Sequence, residues 1–252
     1  MRSLFVALTL ATAVAHAEPS DLVGRPLVLA RGQVEAQLVV ESDMFNNRKG
    51  LPLSVSPDVW GGLTDRLTLG ITHSNTSLDR IAPGASFCVR ELRPECQRFY
   101  RGSNLDVRYL VRAGELSIAP RARLMLREIS PVKPAIALGA LVRWQRGRMS
   151  IASDPYLRLG LANRDEGNRA ALTIPVWFGV QPAEKWLLAL HVGWDADLAV
   201  WHDGWHGPFA LLVRARASRH IDLSVEGGFS TIFGPQNNVR QRALALLVAW
   251  RS

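Results

Sequence analysis

Between residues 31 and 250 the chain repeats one pattern: segments of eight to twelve residues alternate apolar with polar or small side chains and then stop at a break. Residues 106–112, with the sequence DVRYLVR, follow this pattern and run into a tight turn at 113–115. Alternation with a period of two places successive side chains on opposite faces of a strand, whereas a helix repeats every three to four residues. The pattern therefore predicts β-strands along nearly the whole chain.

Twelve strands are predicted, at 33–41, 53–61, 66–74, 104–112, 116–127, 135–145, 149–161, 171–180, 186–195, 208–216, 221–231 and 241–250. Short connections at 62–65, 113–115, 146–148, 181–185 and 217–220 alternate with mostly longer ones at 42–52, 75–103, 128–134, 162–170, 196–207 and 232–240. This layout is typical of an up-and-down antiparallel transmembrane β-barrel with its short turns in the periplasm. The predicted fold class is thus all-β, a twelve-stranded barrel with both termini on the short-turn side.

The first seventeen residues predict a secretory signal peptide. A basic start is followed by eleven uncharged residues at 4–14 and by the small-x-small cleavage motif at 15–17. Eleven apolar residues are fewer than the ~20 that a membrane-spanning helix needs. We predict that residues 18–252 form the mature chain, a single barrel domain.

Together with the signal peptide, two segments resemble those of Gram-negative outer-membrane β-barrel proteins of the porin-like type. One is the hairpin at 60–70, with the sequence WGGLTDRLTLG. The other is the last predicted strand, in which Leu244, Leu246, Val248 and Trp250 share one face. The resemblance covers nearly the whole mature chain and implies a place in the outer membrane. Such barrels usually end on an aromatic residue, whereas Arg251 and Ser252 follow Trp250 here.

Aromatic residues indicate which strand face meets lipid. On the apolar face, Trp144, Trp186 and Trp250 lie at strand ends beside short turns, and Trp194, Phe209 and Phe229 lie beside long loops. The middles of these faces are aliphatic. Two aromatic rings around an aliphatic band are expected at the two membrane interfaces. A soluble β-sandwich or lipocalin-like barrel would more often place its large rings at the centre of the core.

The polar face then lines a lumen, and its charges are unevenly distributed. A predicted basic wall carries seven inward arginines, Arg108, Arg112, Arg121, Arg123, Arg127, Arg143 and Arg158, against only Asp106 and Asp154. A predicted acidic wall nearly opposite carries Glu35, Glu41, Asp222 and Glu226. We predict a transverse field that favours small anions. The alternative is local pairing, of Asp106 with Arg121 or Arg123 and of Arg216 with Asp222, in a plugged barrel.

The longest connection, 75–103, contains both cysteines of the chain. An exported protein meets oxidising conditions, so Cys88 and Cys96 predict a disulfide that stiffens this loop. Connections of this length are usually functional or disordered. The sequence leaves two positions open for it, inside the lumen as a constriction or outside as a surface feature.

The net charge of +8 would suit a nucleic-acid partner. However, the 27 arginines are spread over nearly every segment at strand spacing, and no nucleic-acid motif is present. We therefore expect outer-membrane lipid and small solutes as partners, and no nucleic acid.

One cluster is similar to a catalytic motif. Residues 73–75, His-Ser-Asn, resemble the His-x-Ser-Asn of outer-membrane lipid hydrolases and deacylases. Adjacent His73 and Ser74 point to opposite faces of a strand, so they cannot exchange a proton without a bulge. We expect no catalysis at this position.

A second cluster has the spacing of a metal site. His202 and His206 are four residues apart, beside Asp195, Asp197 and Asp203. That spacing suits a metal on a helix, but Gly204 and Gly207 indicate a loop. We expect neither a metal nor a cofactor.

The predicted function is a passive, porin-like channel for small hydrophilic solutes, including anions. The alternatives are a plugged structural or surface-interaction barrel and a lipid hydrolase. A channel conducts ions across a bilayer, a plugged barrel does not, and a hydrolase changes lipid whether or not it conducts.

Overall fold

The computed structural model describes residues 22–44, 53–73, 87–90, 99–235 and 242–252. The strands in these ranges are β1 (Val34–Asp43), β2 (Leu53–Thr64), β3 (Leu67–Thr72), β4 (Phe87–Arg90), β5 (Ser103–Tyr109), β6 (Leu116–Ile129), β7 (Val132–Arg146), β8 (Met149–Ser153), β9 (Tyr156–Gly160), β10 (Ala171–Ala183), β11 (Trp186–Asp197), β12 (Trp205–Arg216), β13 (Ile221–Phe233) and β14 (Arg242–Arg251). A short 3₁₀ turn, Leu198–Val200, follows β11.

Within the described ranges, no helix is both long and apolar enough to cross a membrane.

The strands form one antiparallel sheet that closes on itself, because β1 pairs with both β14 and β2. β8 and β9 are two halves of one broken strand, since each pairs with both β7 and β10. β4 pairs with the start of β2, and its Phe87 forms a single bridge with Tyr100. Twelve strands therefore surround the lumen, and the predicted all-β, up-and-down barrel is confirmed.

Two predicted connections differ from the structure. The long connection predicted at 128–134 is a two-residue turn, because β6 and β7 continue to Ile129 and Val132. The connection 75–103 contains the short strand β4. The signal peptide at 1–17, Cys96 and the side chain of Cys88 lie outside the described residues, so the cleavage and the disulfide stay predictions.

The barrel has an apolar exterior and a polar interior. Each of the twelve strands of the ring exposes an aliphatic side chain, namely Leu38, Val59, Ile71, Leu105, Leu124, Leu138, Leu157, Ile174, Leu188, Leu211, Leu223 and Leu246. The most deeply buried side chains include Thr68, Asp58, Asp106 and Thr173. An apolar surface continuous around the molecule is far larger than soluble proteins expose, and it suits contact with lipid.

Candidate functional site

A line of hydrogen bonds and ion pairs follows about half of the lumen wall. We call it the luminal belt, and it consists of Trp60, Asp106, Arg121 and Asp154. Trp60 Nε1 donates to Asp106 Oδ2 at 2.8 Å. Arg121 donates to both carboxylate oxygens of Asp106, at 2.7 and 2.8 Å, and its Nη1 pairs with Asp154. This two-pronged geometry is the strong form of an arginine–carboxylate contact, and it joins β2, β5 and β6 to the break between β8 and β9.

Glycines on the intervening strands let these side chains reach across. Gly70 on β3 is the register neighbour of both Trp60 and Asp106. A Cβ on Gly70 would lie 2.1 Å from the Trp60 ring. Gly139 on β7 is the register neighbour of Arg121, and a Cβ there would lie 2.1 Å from a backbone oxygen of the β8–β9 break. The belt therefore depends on two positions without side chains.

Two arginines of the lumen lie over aromatic rings. The Arg108 guanidinium is 4.8 Å from the centre of the Trp60 ring, and its Nη2 is 2.8 Å from Asp106 Oδ2. The Arg123 guanidinium is 4.1 Å from the centre of the Tyr156 ring. A planar guanidinium is attracted to an aromatic face, so these contacts hold both cations close to the wall.

Three further arginines of the predicted basic wall also face inward. Arg127 donates to Asn168 at 3.1 Å, and Arg143, 8% exposed, donates to Ser117 Oγ at 3.4 Å. Arg158 is half-buried on β9. On the inner side of β5 to β9, six arginines thus accompany the two carboxylates of the belt.

Arg112 is not part of this wall, which corrects the prediction. β5 ends at Tyr109, and Arg112 is exposed in the following turn. The amides of Val111 and Arg112 both donate to Ile118 O, so the strand alternation is interrupted there.

The carboxylates predicted to form an acidic wall lie close to cations. Asp222 pairs with Arg25, and Glu35 Oε2 is 2.5 Å from Arg251 Nε. Glu226 Oε1 is 2.5 Å from His191 Nδ1. The fourth acid, Glu41, is buried on β1, 4% exposed. These contacts offset much of the negative charge, so the asymmetry of the lumen rests mainly on the arginines of β5 to β9.

The N-terminal segment 22–33, which we call the strap, enters the mouth of the barrel at the short-turn end. The backbone N–H groups of Leu22 and Val23 donate to Gln181 Oε1 on β10, at 2.9 and 3.1 Å. Both side chains pack against Leu187 on β11 in one buried apolar cluster. One end of the strap is therefore attached to this side of the lumen.

The other end of the strap lies against the opposite side. The Leu29 amide donates to Thr68 Oγ1 on β3 at 2.8 Å. The chain passes closely over β2, where a Cβ on Gly62 would lie 2.0 Å from Ala30 O. β3 and β10 are five strands apart on the ring of twelve, so the strap spans the lumen.

The strap and two inward tryptophans were missed by the sequence analysis. The strap has no strand alternation, so no periodic signal marks it. Trp60 shares its strand face with Ser54, Ser56 and Asp58, so the period-two pattern could have placed it inside. Trp177 likewise faces inward and stacks on His191, with ring centres 4.4 Å apart.

The six predicted interface aromatics lie on the outer face of the barrel. Trp186 and Trp250 are 48% and 43% exposed at the short-turn end, and Trp144 is half-buried there. Phe209 and Phe229 are register partners near the long-loop end. Trp194 packs edge-on against Trp201 at that end, with ring centres 5.1 Å apart.

His73 of the His-Ser-Asn cluster and the His202–His206 cluster lie at the long-loop end of the barrel. His73 Nδ1 is 2.5 Å from Pro57 O, and its ring packs beside Phe87 with the ring centres 5.3 Å apart. Ser74 and Asn75 lie outside the described residues. His202 is exposed in the turn before β12, and His206 is in β12 as the partner of Asp195. Within the described ranges, no group of three or more His, Cys, Asp or Glu could hold a metal.

No protein-family model and no curated protein matches the chain. Solved structures are similar to it. The NanC porin has a TM-score of 0.60 at 9% identity, over 86% of this chain and 98% of that one. An outer-membrane channel from Pseudomonas putida F1 has a TM-score of 0.56 at 13% identity, over 89% of this chain and 97% of that one. The KdgM porin in complex with disordered oligogalacturonate has a TM-score of 0.53 at 9% identity, over 86% and 98%.

At such low identities these similarities show the fold, which is that of outer-membrane β-barrels. Together with the closed ring and its apolar exterior, they confirm the predicted outer-membrane location.

Proposed function

We propose that the protein is a passive, porin-like channel for small hydrophilic solutes, with a preference for anions. The observation that carries the anion preference is the inner side of β5 to β9, where arginines outnumber carboxylates. A charged wall facing a water-filled lumen concentrates ions of the opposite sign. The resemblance of the fold to solved porins and channels supports the channel itself.

The strap is the proposed constriction of this channel. In an eight-stranded barrel the inward side chains can fill the interior, whereas a twelve-stranded barrel encloses more space than they fill. Residues 22–29 cross that space and bring Arg25 near Arg214, Arg216 and Arg251, where Asp222 and Glu35 are the two accompanying carboxylates. Guanidinium groups outnumber carboxylates there. A solute that passes the short-turn mouth would therefore meet several guanidinium groups, which favours anions over cations.

A lipid hydrolase is the second alternative to the channel. A catalytic histidine must exchange a proton with its nucleophile. His73 and Ser74 are adjacent in the sequence, and neighbours in an extended chain point to opposite faces, which argues against that exchange. The purified protein is expected to leave phospholipid intact over hours of incubation.

Planar-bilayer recording tests the proposal. The purified barrel is expected to conduct, and in a salt gradient its reversal potential is expected to indicate anion preference. The triple variant Arg123→Gln, Arg143→Gln, Arg158→Gln is expected to lose most of that preference and still conduct. A matched control removes three exposed arginines at or beside the short turns instead, in Arg112→Gln, Arg146→Gln, Arg219→Gln. Absence of conductance would favour the plugged structural or surface-interaction barrel.

A further inference from the structure

An external groove of about 430 Å³ lies at the long-loop end of the barrel. Its floor includes Leu159, Ala170 and Leu198, which are neighbouring positions at the ends of β9, β10 and β11. The Leu198 amide donates to Ala170 O at 2.9 Å, and Ala171 is the register partner of both Arg158 and Asp197. Leu159 and Leu198 are 41% and 36% exposed on the outer face. The floor therefore continues the apolar band of the barrel.

The rim of the same groove carries two guanidinium groups, those of Arg164 and Arg169, and the carboxylate of Asp165. Arg164 Nε donates to Gly160 O at 2.9 Å, a bond that uses one of the five N–H donors of the guanidinium. The Arg169 side chain is 40% exposed and forms a loose ion pair with Asp197, with 3.8 Å between Nη1 and Oδ2, so this contact uses none of its N–H donors in a hydrogen bond. Both guanidinium groups therefore have donors to offer to a ligand.

The connection 161–170 that carries this rim is held in one shape. Asn168, fully buried, donates to Pro134 O and Ala162 O at 2.7 Å each. Asn163 donates to Val132 O at 2.7 Å. A loop that is already ordered loses less conformational entropy when a ligand binds.

We propose that this groove binds a phosphorylated lipid of the outer leaflet. Its phosphate contacts Arg164 and Arg169, and an acyl chain lies along Leu159 and Leu198 toward the membrane centre. Guanidinium groups match the geometry of phosphate oxygens, and the long-loop end of such barrels faces outward. Trp201, 51% exposed in the next connection, marks the interface depth at which a lipid headgroup lies. A free anion would use the rim alone, whereas a lipid uses both rim and floor.

Native mass spectrometry of the detergent-purified protein tests the proposal with three probes: bisphosphorylated lipid A, the same lipid without its phosphates, and inorganic phosphate. Arg164→Gln with Arg169→Gln is expected to weaken lipid A binding roughly tenfold, since charge-assisted hydrogen bonds are lost. The matched control, Arg146→Gln with Arg219→Gln, removes two exposed arginines at the opposite end and is expected to bind as the unaltered protein does. Ala199→Trp fills the groove without changing charge and is expected to weaken binding as well.

Heat-modifiable gel migration shows that each variant is folded. Equal lipid A binding by the double variant and the unaltered protein would overturn the proposal, as would unchanged binding by Ala199→Trp. Equal binding of dephosphorylated lipid A would show a purely apolar contact instead. Displacement of lipid A by inorganic phosphate at equal concentration would show a site for the free anion.

Discussion

The two sides of the lumen balance their charges in different ways. On β5 to β9, Arg121 joins Asp106 and Asp154 within one continuous wall, and both members of the Arg121–Asp106 pair are almost fully buried. On the other side, Asp222 is paired with Arg25, which belongs to the strap and not to any strand. The first arrangement is built into the barrel wall, whereas the second depends on a segment that crosses the lumen.

The ion pairs of the wall are a fixed part of the barrel, whereas the pair between Asp222 and the strap can open. Breaking a pair that is buried within the wall leaves one ion unsatisfied beneath the neighbouring side chains. A pair with the strap can be broken if the strap withdraws, because both partners then meet water. We therefore expect substitutions in the belt to lower stability, and changes at the strap to alter conduction.

Asp106→Asn gives the largest expected effect. It removes the shared partner of Arg121 and Arg108, at a position that is fully buried. The expected loss is about 3 to 5 kcal/mol in the free energy of unfolding, as for other buried pairs with one partner removed. Urea titration in lipid vesicles, followed by heat-modifiable gel migration, measures it.

Asp222→Asn is the matched variant on the other side. It removes a carboxylate that is nearly as buried, with 4% exposed against 0% for Asp106, and whose partner lies on the strap, so a clearly smaller loss is expected. Equal losses for the two variants would show that the strap is as fixed a part of the fold as the wall.

Gly139→Ala gives the next effect in size. A methyl group there would clash with the β8–β9 break over which Arg121 reaches, so the belt must shift. We expect a loss of about 1 to 3 kcal/mol, as for other overpacked sites. Gly61→Ala, with no atom within 4 Å of the added Cβ, serves as the control in the same titration. If both variants were equally stable, the belt would not depend on the missing side chain at Gly139.

Much of the barrel could be predicted because lipid outside and water inside impose a period of two on every strand. Leu157 and Arg158 illustrate this, since adjacent residues on β9 lie on opposite faces. The same logic failed at Arg112, where backbone hydrogen bonds interrupt the strand.

Partners that are distant in sequence could not be predicted at all. The pair of Arg25 with Asp222 joins the two ends of the chain, and no local pattern marks it. The belt is an intermediate case. Its charges were predicted, and the pair of Asp106 with Arg121 was one of the two pairings predicted for Asp106. The reach of Arg121 past β7 depends on Gly139, whose role is visible only once the register is known.

Removal of the strap tests whether the strap side of the lumen, unlike the wall of β5 to β9, controls conduction. Deletion of residues 22–30 is expected to raise single-channel conductance severalfold, since the segment that spans the lumen is lost. It is also expected to weaken anion preference, because Asp222 loses Arg25 and presents a free carboxylate at the mouth.

A cross-link provides the opposite change without altering the length of the chain. Leu22→Cys with Leu187→Cys, made together with Cys88→Ser and Cys96→Ser so that reduction acts on the new bond alone, joins two residues of one buried cluster. Oxidation would fasten the strap to β11. If the strap moves aside during conduction, the oxidised variant conducts less than the same variant after reduction. Equal conductance in both redox states, together with a large increase on deletion, would mean that the strap narrows the lumen without moving. Unchanged conductance in the deletion variant would contradict the proposal that the strap constricts the lumen. The difference between the two sides of the lumen would then concern stability alone.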